Sequence, residues 1–267
     1  MIRYSLNQNT CKKLSFDKFI PLSKDFNGIE FDFEFLKDLR DVGYSLKQLL
    51  ENLETYDLQV TGIFHLKNFN LCSDGTFKRK IIPTLENMLK FSYELESNLI
   101  FLKPSSLEEF DNPQKIPMWR IIRRTKKNLK EISSLAEDYD VQLGLEFQYT
   151  RFSSIRTLPQ AKKILQPLKY LENVGYIIDL FEFAKSQEKF SQLSDISSLI
   201  YLVQLCDLNF TSNQNHRLPL GMGEYPIRKF VNFLKKIGFR KTYSLELKNY
   251  DCSNTLTKLF KNLRNYF

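Results

Sequence analysis

Four oxygen-bearing side chains occur at similar positions, late in successive apolar segments of the chain. They are Glu146 in LGLEF, Asp179 in YIIDL, Gln204 in LIYLVQLCDLNF and Glu246 in YSLEL. A buried amide or carboxylate is costly unless it has a partner. Each residue alone could cap the following helix or pair with a lysine, but four in succession favour a shared site.

The chemistry of these four side chains indicates a bound cation, because converging carboxylates repel one another without one. The set offers carboxylate and amide oxygens, with neither thiolate nor imidazole. Such oxygens suit hard or borderline divalent ions, so we expect one Mn²⁺ or Mg²⁺ ion in preference to Zn²⁺. In this interpretation the metal ion is the partner of the Gln204 carbonyl oxygen.

Short apolar segments alternate with amphipathic helical patterns along the chain, and these elements must position the four side chains. The strand candidates are residues 2–7, 28–33, 58–66, 98–104, 141–147, 174–180, 200–208 and 242–248. Eight strands that alternate with helices over about 250 residues predict an α/β fold, the (β/α)₈ TIM barrel, whose functional residues gather at the C-terminal ends of the strands. A doubly wound open sheet is the alternative, but the sequence lacks the glycine-rich turn expected after its first strand. No linker-like composition divides residues 1–267, so we predict a single domain.

The positive charge of the chain raises the question of an anionic partner. The formal net charge is +8, and the densest basic run is WRIIRRTKKNLKE. Its basic residues fall on one side of a helix and its apolar residues on the other. This pattern favours the solvated face of an amphipathic helix over a phosphate-binding patch.

The cysteines and the N-terminus bear on the cellular compartment. Cys11, Cys72, Cys206 and Cys252 are far apart and form no C-x-x-C pair. This spacing argues against a disulfide framework or a zinc knuckle and favours a reducing compartment. MIRYSLNQNT does not resemble a secretory signal, and no apolar segment approaches the length of a membrane span. We therefore predict a cytoplasmic protein without a membrane partner.

The ordered set of residues resembles the xylose isomerase-like TIM barrels, which include sugar and sugar-phosphate isomerases, epimerases, inosose dehydratases and hydroxypyruvate isomerases. The resemblance extends over most of the chain, and it is strongest from LAEDYDVQLGLEF through VGYIIDLFEF, LVQLCDLN and HRLPLGMGEYP to GFRKTYSLELKN. By this resemblance the metal ligands are Glu146, Asp179, Gln204 and Glu246. Gln204 in place of histidine is similar to the hydroxypyruvate isomerase branch, and Arg217 matches the arginine that contacts a substrate oxygen.

The resemblance implies an enzyme of carbohydrate metabolism, a metal-dependent isomerase or epimerase of a small sugar, sugar acid or sugar phosphate. Glu146 and Glu246 would be the acid/base pair that moves a proton through a cis-enediolate, and Arg217 would stabilise the developing oxyanion. His65 and Lys103 end the third and fourth strands and are candidates for lining the substrate pocket. The glycine-rich LPLGMGEYP either offers amides to a phosphate or simply forms a turn.

The sequence departs from the family pattern at Glu182, a predicted substrate contact, where the family usually has histidine. This departure leaves a second class of function open, a barrel without turnover that binds a carbohydrate-like ligand or a partner. An apurinic endonuclease of the same superfamily needs several histidine ligands for zinc. Because the chain has only His65 and His216, nucleic acid is not the expected partner. Many relatives form dimers or tetramers, so a homo-oligomer also remains open.

Overall fold

Eight parallel strands close into a barrel in which neighbours in sequence are paired and β1 pairs with β8. The computed structural model describes residues 2–110, 116–209, 216–248, 250–252 and 255–267. The strands are β1 Arg3–Asn7, β2 Gly28–Asp32, β3 Gln59–Lys67, β4 Leu99–Lys103, β5 Gln142–Glu146, β6 Val174–Asp179, β7 Ile200–Leu205 and β8 Thr242–Leu245. This topology confirms the predicted (β/α)₈ TIM barrel and excludes the open doubly wound sheet.

Helices follow the strands, and several begin at a residue whose side chain caps the helix. Ser45 and Gln48 form a capping box, and the Thr157 hydroxyl accepts a hydrogen bond from the Gln160 amide. Such caps satisfy amide groups that the first turn of a helix leaves unpaired. The helices are α1 Phe16–Leu22, α2 Phe33–Asp41, α3 Leu46–Thr55, α4 Asp74–Thr76, α5 Ile82–Glu94, α6 Met118–Glu137, α7 Leu158–Leu165, α8 Leu180–Lys185, α9 Ile227–Lys236 and α10 Leu256–Arg264. Among these described helices, none is long and apolar enough to cross a bilayer.

The interior of the barrel is apolar beneath the C-terminal ends of β6 and β7. Ile177 and Leu202 lie two residues before Asp179 and Gln204, so each pair shares one face of its strand. Both apolar residues are fully buried and belong to one cluster with Phe101. Asp179 and Gln204 therefore lie above a buried apolar floor.

The basic run predicted as an amphipathic helix forms α6. Ile121, Leu129 and Ile132 are buried, whereas Arg120 and Arg123 are exposed, as the helical spacing predicts. Arg124 and Lys127 both pair with Asp74, at 2.7 Å and 2.8 Å. The apolar face thus packs on the barrel, and part of the basic face is neutralised by the protein itself.

A disulfide bond joins Cys11 and Cys252, and the prediction drawn from cysteine spacing is wrong for this pair. The two residues are 241 positions apart in sequence, but their Cα atoms are 5.5 Å apart. They follow β1 and β8, which are neighbours because the barrel closes. Cys72 and Cys206 are free. The cytoplasmic location stays a prediction, and the cysteines no longer support it.

Candidate active site

The four predicted oxygen donors lie at one mouth of the barrel because the strand register aligns them. Asp179 pairs with Gln204 across β6 and β7, and Glu146 ends the adjacent β5. Glu246 directly follows β8, where its amide donates to the Leu205 carbonyl. All four side chains are buried. The structure therefore brings together the residues that the sequence pattern singled out.

Arg217 pairs with two of the four predicted metal ligands. Its Nη1 and Nη2 donate to the two oxygens of Asp179, at 2.8 Å and 2.5 Å, and Nη1 lies 3.4 Å from Oε2 of Glu246. The guanidinium also packs over the Phe181 ring. Burial alone would lower the pKa of Arg217, but Asp179 and Glu246 raise it well above its ordinary value. In this structure the guanidinium is thus the counter-ion of these carboxyl groups.

Glu146 is held as a carboxylate by donors from β3 and from the segment that directly follows its own strand. His65 Nε2 lies 2.9 Å from Oε2, and Gln148 Nε2 donates to Oε1 over 3.1 Å. Burial raises the pKa of Glu146, but the hydrogen bond and charge of His65 and the charge of Lys103 outweigh it and lower that pKa to about 2. His65 and Lys103, predicted from their positions at strand ends, therefore act on a candidate catalytic carboxylate.

Glu246 and Glu182 lie in the opposite electrostatic environment. Burial raises the pKa of Glu246 to about 8, because the charges of Asp179 and Glu146 offset the lowering effect of Arg217. Burial likewise raises the pKa of Glu182 to about 7. Burial thus opposes ionisation of Glu246, whereas His65 and Lys103 favour ionisation of Glu146. Two carboxyl groups whose pKa values are pushed apart have the properties of a base and an acid.

Glu182, which stands where the family usually has histidine, has a specific partner. Its Oε2 accepts a hydrogen bond of 2.6 Å from the Tyr149 amide, and its Oε1 lies 3.9 Å from Nη2 of Arg217. It therefore ties the segment after β5 to α8, and it lies beside the guanidinium. A direct substrate contact by Glu182 stays a prediction.

Glu30 is a residue of this site that the sequence analysis missed. It lies in the middle of β2, is fully buried, and accepts hydrogen bonds from Asn7 Nδ2 at 2.6 Å and Gln204 Nε2 at 2.8 Å. Burial raises its pKa to about 7. The signal was present in GIEFDF, where an acid interrupts a strand that is otherwise apolar up to its end.

Comparison with known proteins places this site within a family. The profile of the xylose isomerase-like TIM barrels matches residues 23–265. The chain belongs to the xylose isomerase-like TIM barrel family. The family resemblance predicted from the ordered residues is thereby confirmed.

Three relatives of the chain illustrate this membership. An inosose isomerase of Bacillus velezensis is 26% identical over 220 residues, which are 80% of this chain and 74% of that protein. The crystal structure of the IolI protein with a bound zinc atom has a TM-score of 0.85 and 22% identity, covering 99% of this chain and 96% of that one. A D-tagatose 3-epimerase-like protein has a TM-score of 0.79 and 20% identity, over 99% and 96% of the two chains.

The donor set of this family member suits a divalent ion, although Arg217 now lies against two of the donors. In the described part of the chain, no three His, Cys, Asp or Glu side chains are grouped closely enough to hold a metal ion. The Gln204 Oε1 atom is nevertheless buried without a hydrogen-bond partner among the described residues. The site also contains five buried carboxyl groups but only one buried guanidinium among the described residues, that of Arg217. The carboxyl groups are those of Glu30, Glu146, Asp179, Glu182 and Glu246. The ligand set therefore fits a cation in its chemistry, while its closure around one ion stays a prediction.

The glycine-rich segment after β7 forms a turn whose amides are used within the protein. The Gly221 and Tyr225 amides donate to the carboxyl group of Asp207, at 3.0 Å and 3.3 Å, and so does the Leu208 amide. Gly221 has φ +84°, and a Cβ at Gly223 would lie 2.4 Å from Asp207 Oδ1. The glycines therefore serve the turn, and these amides are not free to bind a phosphate.

Proposed function

We propose that this chain is a divalent-metal-dependent isomerase or epimerase of a small sugar or sugar-like ketone, which moves a proton through a cis-enediolate. The observation that carries the proposal is the convergence of Glu146, Asp179, Gln204 and Glu246 at one buried mouth, with Arg217 against two of them. The family and its inosose isomerase relatives support an enzyme of this class. A cytoplasmic enzyme without a membrane partner is part of the same proposal.

In this proposal the side chains divide the work of proton transfer. Glu146, as the ionised group, would remove a proton from the carbon beside the substrate carbonyl. Glu246, whose buried carboxyl group has a raised pKa, would return a proton to the other face or to the neighbouring carbon. Arg217 would donate to a substrate oxygen on which negative charge develops. The apolar floor beneath these groups would keep water from the reacting carbon.

The implied ion would be held by oxygens of Glu146, Asp179, Gln204 and Glu246, and when bound it would polarise the carbonyl and acidify the adjacent C–H. The expectation that Mn²⁺ or Mg²⁺ is preferred over Zn²⁺ has no support from the comparisons, because the IolI structure contains zinc. We therefore propose a divalent ion of unspecified identity. The carboxylate and amide donors suit manganese and magnesium, and carboxylates also bind zinc.

The state of the loop amides bears on the class of substrate. Barrels of this type often bind phosphate at the loops after strands seven and eight. Here Asp207 already accepts hydrogen bonds from amides of that region. This contact favours an unphosphorylated sugar over a sugar phosphate within the proposed class.

A second candidate function is a barrel that binds a sugar-like ligand without turnover. The observation that favours it is the buried pairing of Arg217 with Asp179, which neutralises a predicted ligand without any metal. In that case Glu182 and Arg217 would serve binding alone. The two functions differ in one measurable property, the exchange of a substrate C–H with solvent.

The test is deuterium incorporation into inososes and ketoses incubated in D₂O with the protein and Mn²⁺, Mg²⁺ or Zn²⁺. We expect exchange by the wild type, and a loss of about 10²-fold or more in Glu146→Gln, the range for a removed general base. Glu172→Gln is the matched control, because Glu172 is exposed and lies before β6. Retention of metal and sugar without exchange would favour the binding barrel.

A further inference from the structure

We propose that Glu30 is a positioning residue that holds the amide of Gln204 so that the Gln204 carbonyl oxygen faces the mouth of the barrel. The inference rests on the proposed function, in which that oxygen is a metal ligand. Glu30 itself touches neither metal nor substrate in this account. Its role would be exerted through one hydrogen bond between β2 and β7.

The hydrogen bonds at Glu30 determine which end of the Gln204 amide faces it. Its Oε2 accepts from both Asn7 Nδ2 and Gln204 Nε2. An oxygen that accepts from two amides does not need its own proton, so a proton on Glu30 would reside on Oε1. The Ser244 hydroxyl is a further hydrogen-bonding partner that lowers the pKa of this carboxyl group. In either protonation state Oε2 therefore attracts the NH₂ group of Gln204 and repels its carbonyl oxygen.

The orientation of Gln204 leaves its oxygen available. The Gln204 Oε1 atom is buried and has no hydrogen-bond partner among the described residues. A buried carbonyl oxygen without a hydrogen-bond partner is destabilising, so its presence here is explained by a partner that binds when the protein functions. Gln204 pairs with Asp179 across the strands, which places this oxygen beside another predicted ligand.

Packing and stability alone do not account for an acid at position 30. No lysine or arginine among the described residues forms an ion pair with Glu30, although it is fully buried. A buried acid without a cationic partner is destabilising relative to a well-packed apolar residue. On the strands on either side of β2, Ser5 and Thr61 form a neutral hydroxyl pair instead, at 2.5 Å. The carboxyl group of Glu30 is thus explained by its hydrogen bond to the Gln204 amide.

Ligand-orienting partners of this kind are common around metal sites, where their removal typically costs 10-fold to 100-fold in metal affinity. A carboxylate that fixes an amide ligand would also add negative charge near the cation. Orientation of the amide and added negative charge both favour metal binding, but only the orientation effect depends on Gln204. The dependence on Gln204 therefore separates positioning from charge.

The test is a thermodynamic cycle in Mn²⁺ affinity, measured by isothermal titration calorimetry. Glu30→Met is prepared in the wild type and in a Gln204→Ala background, and Thr61→Val is the matched control for loss of a buried polar group in the barrel. We expect Glu30→Met to weaken Mn²⁺ binding about 10-fold to 100-fold in the wild type and less than about 3-fold in Gln204→Ala. Glu30→Gln keeps an acceptor oxygen and should retain most of the affinity. Thr61→Val should change it little.

The outcomes separate the two proposals. Equal losses in both backgrounds, or an unchanged affinity in Glu30→Met, would overturn the positioning role while leaving the metal-dependent function intact. Failure of the wild type to bind Mn²⁺, Mg²⁺ or Zn²⁺ would contradict the proposed function and the role of Glu30 together. If Glu30→Met does not fold by circular dichroism, Glu30→Asp, which withdraws the carboxyl group by one methylene, takes its place in the cycle with the same expectation.

Discussion

Removal of the Arg217 guanidinium should strongly destabilise the metal-free protein. Arg217 makes two hydrogen bonds to Asp179, and the two side chains are only 3% and 0% exposed. Breaking such a buried pair by removing one partner typically costs about 3–5 kcal/mol, because a buried charge is left uncompensated. We therefore expect Arg217→Met to lose about 3–5 kcal/mol in its free energy of unfolding.

The double variant Arg217→Met/Asp179→Asn separates lost packing from uncompensated charge. It carries no unpaired charge at position 179, so it should be more stable than Arg217→Met alone. Arg228→Met is the control, because Arg228 is exposed and donates to the Asn265 carbonyl. Its effect should stay within about 1 kcal/mol.

The assay is urea unfolding in EDTA, followed by the same measurement with Mn²⁺. Added metal should stabilise Arg217→Met more than the wild type, because the ion no longer competes with the guanidinium for Asp179. If Arg217→Met loses less than about 1 kcal/mol in its free energy of unfolding, Arg217 is not the buried counter-ion of Asp179, and the prediction is wrong. Equal stability of the single and double variants would refute it as well.

Two further predictions concern pH and the disulfide. Burial raises the pKa values of Glu30 and Glu182 to about 7 and that of Glu246 to about 8, so between the unfolded and folded values the native state binds more protons than the unfolded state. The urea concentration at the unfolding midpoint of the metal-free protein should therefore decrease as the pH is raised from about 5 to 8. Glu30 alone should account for a loss of about 3 kcal/mol in the free energy of unfolding. A midpoint that stays constant or increases over this range would contradict the raised pKa values of these buried groups. Replacing both Cys11 and Cys252 by alanine should lower the free energy of unfolding by about 2–5 kcal/mol, because the disulfide bond closes a loop of nearly the whole chain. The control Cys72→Ala should leave the free energy of unfolding nearly unchanged. Equal stability of the double variant and the wild type would argue against the disulfide bond.

The sequence pattern predicted all eight strands, because short apolar runs between amphipathic segments are distinctive. It did not predict α2, since GIEFDF was interpreted as a strand through Phe33. In the structure the Asp32 side chain accepts a hydrogen bond from the Glu34 amide and begins the helix at Phe33. A capping contact of this kind depends on one side-chain rotamer, which hydrophobic periodicity does not encode.

The candidate site was predictable to the extent that strand order fixes it. Once the barrel is assumed, residues late in β5 to β8 must share one mouth, as Glu146 and Gln204 do. The pairing of Arg217 with Asp179 was not predictable, because Arg217 lies 38 residues away in an irregular segment. The disulfide could have been found, because Cys11 and Cys252 both follow strands that a closed barrel makes neighbours.

Anomalous diffraction from Mn²⁺-soaked crystals tests whether oxygens at the ends of β5 to β8 bind one divalent ion. We expect one manganese peak per chain, within about 2.5 Å of oxygens from the four predicted ligands, with Arg217 withdrawn from Asp179. The four ligands are Glu146, Asp179, Gln204 and Glu246. A map with no peak at this mouth, and with Arg217 still paired to Asp179 at saturating Mn²⁺, would contradict this expectation.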